Sequence, residues 1–292
     1  MSGACASGRK PAEDPKTERK QEQLTPDQQA LMDAYDAGGA AWESARERAL
    51  ADVELRRFLV DHLVLRMVQA YDQIARPGGT DASAQFDRAQ GELVRIGAPA
   101  AGMLTALLAV SDGVVATLSA RTLERIGRPA IDAVLPLTRS TTVRTRQRVT
   151  EVLGVLPHAA GDEPKVQGEL VRLLHTDPDW VVRAHAATAV GARGARDRTT
   201  EPARKALATA LADKDPAVTE AATAGLAALG DPLAVPALLE VLGPAVERGD
   251  LRLVRGCQAA LIAVTGEKAE HDLAGWTSWW YAHRDQLARP KN

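Results

Sequence analysis

The sequence predicts an all-α protein, a right-handed solenoid of stacked helix pairs, and three observations predict it. Hydrophobic residues make up 45% of the 292 positions but aromatic residues only 3%. Alanine, leucine and valine must therefore do the packing, which suits closely approaching helices better than a β-sandwich. Apolar residues recur at helical spacing in one segment after another, each bounded by Asp-Pro or glycine. Finally, Gly97, Gly127, Gly154, Gly194, Gly230 and Gly266 fall 30, 27, 40, 36 and 36 residues apart, a period typical of repeat arrays.

Residues 1–24 are polar, mixed in charge and interrupted by Pro11 and Pro15. Too little apolar mass is present to offset chain entropy, so this stretch is expected to be a disordered tether. Within it, Ser2-Gly3-Ala4-Cys5 resembles the start of a mature bacterial lipoprotein, which implies lipidation of Cys5. The apolar leader of that route does not precede it here. The chain as written reads as cytoplasmic; with a leader removed, it reads as anchored to a membrane through Cys5. Residues 25–84 are expected to form a helical N-terminal cap and a connecting loop. Thr25-Pro26 can start a helix and Gly38-Gly39 stop it. Leu55, Leu59, Leu63, Met67, Tyr71 and Ile74 then make an amphipathic stripe, and Arg76–Ser83 (RPGGTDAS) reads as a flexible link.

Residues 85–270 carry the repeat. In "DPDWVVRAHAATAVGARG" (177–194) Asp-Pro opens a helix, apolar residues follow at helical spacing, and glycine closes it. The same grammar returns in "DPAVTEAATAGLAALGD" (215–231) and "DLRLVRGCQAALIAVTG" (250–266). A valine stands twelve residues before the closing glycine in all three (Val182, Val218, Val254) and again at Val115; Thr142 takes that place before Gly154. Companion helices are predicted at 98–110, 128–138, 165–176, 201–213 and 231–243. Each pair exposes an apolar face that only stacking on its neighbours can cover. On these residues the chain, over about 85–287, resembles the HEAT-repeat family, in particular short bacterial repeats similar to those of phycobilisome lyases. The resemblance implies an armadillo-like superhelix in which the second helix of each pair lines the concave face, and a protein-binding scaffold.

Residues 271–292 are expected to be a capping helix and tail. Four of the ten aromatic residues (Trp276, Trp279, Trp280, Tyr281) lie here. Leu273, Trp276, Trp280, His283 and Leu287 step by three and four, so they share a face, with Trp279 flanking it. They follow the last glycine of the series, where an open array needs its apolar end covered. Trp276, Trp279 and Trp280 are therefore read as a structural cap. The pattern Thr265-Gly266, Asp272, Trp276-x-x-Trp279-Trp280 is also similar to a closing segment of bacterial proteins of this repeat class.

Chemistry is sparse. Phosphate-loop, dinucleotide-binding, zinc-protease and nucleophile-elbow patterns are absent, and none of the six histidines is followed by Glu as in the HEAT-repeat iron hydroxylase. No catalytic residue, cofactor or metal is expected. Two cysteines, Cys5 and Cys257, exclude a disulfide framework, and Cys257 reads as a small core residue. "EKAEHD" (267–272) lacks a metal-ligand spacing; Asp272 is placed to cap the last helix. Trp180 beside Asp177, Asp179 and Arg183 loosely resembles the site of HEAT-like DNA glycosylases, which keeps a nucleic-acid binder as an alternative. The stronger reading is structural, with Asp177-Pro178 and Arg183 as helix-start residues and the arginine bonding to loop carbonyls or aspartates of the adjacent layer. A phycobilin-lyase-like enzyme is a second alternative, resting on the repeat alone.

Charge is the remaining signal. The net charge of −2 gives no global pull toward nucleic acid or anionic membrane. Locally, 114–150 holds seven arginines against Glu124 and Asp132, and 183–205 six basic residues against Asp197 and Glu201. Arg121, Arg125, Arg144, Arg148 and Arg183 all belong to second helices and are expected to converge on a concave surface that takes a protein partner, in particular an acidic segment. Nucleic acid fits less well, since few aromatics are available to stack on bases.

Overall fold

A computed structural model describes residues 24–74, 81–157, 163–268 and 271–287. The fold is an all-α solenoid, and no strand occurs among the described residues. The chain divides into two compact units, one ending at Leu59 and the other beginning at Val60. Cys5 lies outside the described residues.

The first unit is built from α1 (Pro26–Ala37), α2 (Gly39–Ala51) and the start of α3 (Val53–Ile74). Thr25 caps α1 through a reciprocal box with Gln28, the side chain of each accepting from the backbone N–H of the other at 3.2 and 3.0 Å. Gly38, at φ 72°, turns the chain directly into α2. Gly39 therefore starts a helix and does not extend a stop. Tyr35 and Trp42 pack edge to face across that turn, centroids 5.1 Å apart.

The second unit continues with α4 (Ala82–Ile96), α5 (Ala98–Leu107), α6 (Gly113–Ile126), α7 (Ile131–Val134) and α8 (Val143–Val155). It proceeds through α9 (Glu163–Thr176), α10 (Trp180–Arg196), α11 (Thr200–Ala210), α12 (Pro216–Leu229), α13 (Val235–Arg248), α14 (Leu251–Thr265) and α15 (Leu273–Leu287). The even-numbered helices from α4 to α14 pack in succession, and each odd-numbered partner lies against its own second helix. Valine, leucine and alanine fill the layers between them. The companion helix expected at 128–138 is short: 3-10 turns at Arg128–Ala130 and Leu135–Arg139 flank α7. Pro129 and Pro136 fall at the starts of these two turns, and the N–H that Pro136 lacks favours the interruption after α7.

The repeat is best registered by its N-caps, Asp112, Thr142, Asp179, Asp215 and Asp250, at intervals of 30, 37, 36 and 35 residues. This corrects two expectations. Thr142 is the counterpart of the capping Asp179, not of Val182, whose counterpart is the buried Thr145. The glycine series also mixes two kinds. Gly97, Gly127, Gly230 and Gly266 end helices with positive φ, whereas Gly154 and Gly194 lie inside α8 and α10 and are buried. A Cβ on Gly194 would meet that of Ala203 at 2.5 Å, and one on Gly154 would meet that of Ala189 at 3.0 Å. These interior glycines let layers approach closely.

Candidate functional site

Each repeat loop needs its polar backbone satisfied, and arginines supply much of that. Arg146 on α8 forks onto Asp177 at 2.7 and 2.9 Å and donates to the Ser140 carbonyl. One repeat later Arg183 on α10 forks onto Asp213 at 2.8 Å and donates to the carbonyls of Asp177 and Pro178. The two arginines stand four residues after their N-caps and each reaches into the loop of the next repeat. Thr219 takes the same position in α12 and binds the Leu211 carbonyl of its own loop, so the ladder ends there.

Arg183, expected on the partner surface and also read as a helix-start residue bonded to the adjacent layer, takes the second placement, which removes it from the surface. It is 4% exposed, held above the ordinary arginine value chiefly by the hydrogen bond to Asp213. Four more of the six basic residues from 183 to 205 are similarly engaged, whereas Arg198 is exposed. Arg193, wholly buried, donates to the carbonyls of Leu153 and Leu156 and pairs with Asp197. Arg196 shares Asp197, Arg204 binds Asp231 and Lys205 binds Glu201. The acid-flanked Trp180 is 47% exposed, but its neighbours are structural: Asp177 holds Arg146, Asp179 caps the N–H of Val181 and Arg183 holds Asp213.

The run from 114 to 150 behaves differently. Arg125 donates to Gln90 of α4, Arg139 pairs with Glu169, and Arg128 is also engaged. Arg148 is half-buried and donates to the Leu108 and Val110 carbonyls at 2.6 and 3.1 Å. Burial, then the nearby charge of Arg144, push its guanidinium below the ordinary value. Arg121 and Arg144 are exposed, and neither makes a side-chain hydrogen bond or ion pair among the described residues. Together with Arg148 they line one groove of about 590 Å³ between α6 and α8. The structure thus brings Arg121, Arg144 and Arg148 together, places Arg125 on the α4 side, and withdraws Arg183.

Two acids share the groove, Glu124 and Glu151. Burial raises the Glu124 carboxyl, partly opposed by the charge of Arg121. Glu151 is held down, chiefly by its hydrogen bond to His185 on α10 at 2.9 Å. The same bond raises His185, whose other ring nitrogen contacts the Val181 carbonyl at 2.7 Å. This bridge was not anticipated in the sequence; Glu151 and His185 are 34 residues apart and only the repeat register pairs them. A second groove, about 420 Å³, adjoins at Glu151 and is walled by Val155, Ala184, Ala189, Ala192 and Ala221.

At the other end of the unit, Trp276 is fully buried and its indole N–H donates to Gln258 of α14 at 2.6 Å. Trp279 is partly buried, donates to Glu267 and stacks on His283 with centroids 4.3 Å apart. Trp280 is half-buried, and Leu273, expected in the buried stripe, is 39% exposed. Asp272 accepts from the Gly275 N–H and so caps α15. Cys257 is buried and its thiol pushed up to about 11 by desolvation, which leaves no thiolate for chemistry. No group of three or more His, Cys, Asp or Glu suited to a metal occurs among the described residues; 269–270, inside the Glu267–Asp272 cluster, lie outside them.

A family model described as HEAT repeats matches residues 100–191 and 168–249. No curated protein matches the chain. Among solved structures, YibA of Escherichia coli is 18% identical over 68% of this chain and 67% of its own, with a TM-score of 0.51. A designed armadillo repeat protein in complex with the peptide (KR)4 is 17% identical over 68% of this chain and 98% of its own, TM-score 0.40. The karyopherin Kap121p, bound to the extreme C-terminus of the protein phosphatase Cdc14p, is 14% identical over 89% of this chain and 30% of its own, TM-score 0.44. At such identities the likeness to YibA is one of fold.

Proposed function

The chain belongs to the HEAT-repeat family, and from that premise we propose that it is a non-enzymatic scaffold that binds a protein partner along the row of second helices. In the family's geometry that row is the concave side. One observation carries the reading: Arg121 and Arg144 converge on the α6–α8 groove with neither a side-chain hydrogen bond nor an ion pair among the described residues, while Arg183, Arg193, Arg196 and Arg204 of the second basic run are engaged by backbone or carboxylates. Exposed cations left unpaired in a concave setting focus field toward an anionic ligand. Lipid attached at Cys5 would add a membrane tether, and an acyl mass adduct on protein from the native organism would support it, whereas a free thiol would end it.

The test is differential capture. Full-length protein and its Arg121→Glu/Arg144→Glu variant are used as bait, with proteins identified by cross-linking after nuclease treatment. The scaffold reading expects a partner retained by the parent and lost by the variant at unchanged melting temperature. Retention of the same partners by both, or binding that nuclease abolishes, would overturn it; the second result would restore the nucleic-acid alternative.

A further inference from the structure

The arginine groove and the apolar groove share a wall. Glu151 lines both, and α8 separates them. On one side stand Arg121, Arg144 and Arg148; on the other, Val155 (51% exposed) and the alanines of α10 and α12. Gly154 and Ala189, which approach closely, both line the apolar groove.

We infer that the two grooves form one channel for an extended protein segment carrying an acidic side chain and, about three residues away, a large apolar one. This rests on the scaffold reading and narrows it. Helices packed side by side lie roughly 8–10 Å apart, and chain in the polyproline-II conformation advances about 3.1 Å per residue with three residues per turn, so side chains three residues apart share a face and reach from one groove to the next. The acid is selected because a carboxylate can fork onto Arg121 or Arg144 and relieve the crowding of Arg144 and Arg148. Arg148 is already fixed by two carbonyls, so little ordering is needed on that side. A run of phosphates fits worse, because Glu124 and Glu151 face the same groove and no Phe, Tyr or Trp lines either groove for a base to stack on.

A phage-displayed library of random decapeptides, selected on the full-length chain, tests it. Enriched peptides should carry Asp or Glu and, three residues away in either direction, Leu, Ile, Met or Phe. Binding of a selected peptide, followed by fluorescence anisotropy, should weaken about tenfold in Arg121→Ser/Arg144→Ser and about tenfold when its apolar residue becomes Ser. Ala192→Glu, at an exposed position of the second groove, should abolish that apolar preference without altering the melting temperature. Enrichment lacking either residue, a spacing that varies freely, no enrichment at all, or full competition by oligo-dT of equal charge would each overturn the channel. Loss of captured partners in Arg121→Glu/Arg144→Glu would still uphold the scaffold in any of those cases, so the two failures are separable.

Discussion

Asp177 accepts two hydrogen bonds from Arg146 and a third from the N–H of Asp179, in a place where the arginine side chain is 9% exposed and the carboxylate 3%. Removing the carboxylate strands a buried cation, so Asp177→Ala should cost about 3–5 kcal/mol in urea denaturation, and the double variant Asp177→Ala/Arg146→Met should recover much of it. Equal losses in the single and double variants would mean the pair contributes nothing specific. The exposed bridge between His185 and Glu151 depends on pH. Its hydrogen bond raises His185 above the ordinary 6.5, so that contribution is complete below 6.5 and fades as pH climbs through the folded value. It lowers Glu151 below the ordinary 4.5, so that contribution is complete above 4.5 and fades as pH falls through the folded value. The window is thus about 4.5 to 6.5. The melting-temperature gap between the parent and His185→Gln should peak inside it and narrow above; a gap flat with pH would show that the bridge does not form. Neither interaction could be read from local sequence. Arg183 has two readings in the sequence, a partner contact and a helix-start residue bonded to the adjacent layer, and the structure takes the second.

Helices α10 and α12 approach through glycine. A Cβ on Gly191 would lie 2.4 Å from the Gly225 carbonyl oxygen and 2.5 Å from its Cα, both rigid backbone. Gly191→Ala should therefore destabilise the chain by about 1–3 kcal/mol, as overpacking does. Gly168, inside α9, has nothing within 4 Å of the same construction, and Gly168→Ala should stabilise by about 0.5–1 kcal/mol through helix propensity. Thermal or urea melts of the two variants should move in opposite directions; movement in the same direction would show that the α10–α12 contact is looser than drawn. The existence of most helices was legible, because composition and 3.6-residue periodicity report burial directly. The role of each glycine was not. A glycine that ends a helix and one that admits a neighbouring helix are the same letter: Gly194 stands as far beyond its N-cap as Gly127 and Gly230 do, yet α10 continues through it to Arg196. Helix α2 was missed for a related reason: Gly38-Gly39 signals a break, and the break proved to be a single tight turn.

In an array where each layer touches only its neighbours, stability at an end should be local. Helix α15 packs on α13 and the Pro232–Ala234 turn, and its anchor is Trp276, held between the Gln258 side chain and the edge of the His271 ring at 4.7 Å. The aromatic cluster was legible as a feature of the terminal layer, but periodicity assigned the buried face to five residues and the structure buries Trp276 alone fully. The others are amphipathic or exposed, with Trp279 turned to satisfy its indole on Glu267. Truncating that one anchor should open a cavity worth about 3–5 kcal/mol, yet its effect should not travel. Hydrogen exchange of Trp276→Ala should quicken in α13, α14 and α15 while α8 and α10, four or more helices away, keep their protection. Partner capture through Arg121 and Arg144 should survive in the same variant, since the α6–α8 groove shares no layer with α15. Uniform loss of protection along the unit would instead make the second unit one cooperative body, and a distant substitution could then disturb the arginine groove without touching it.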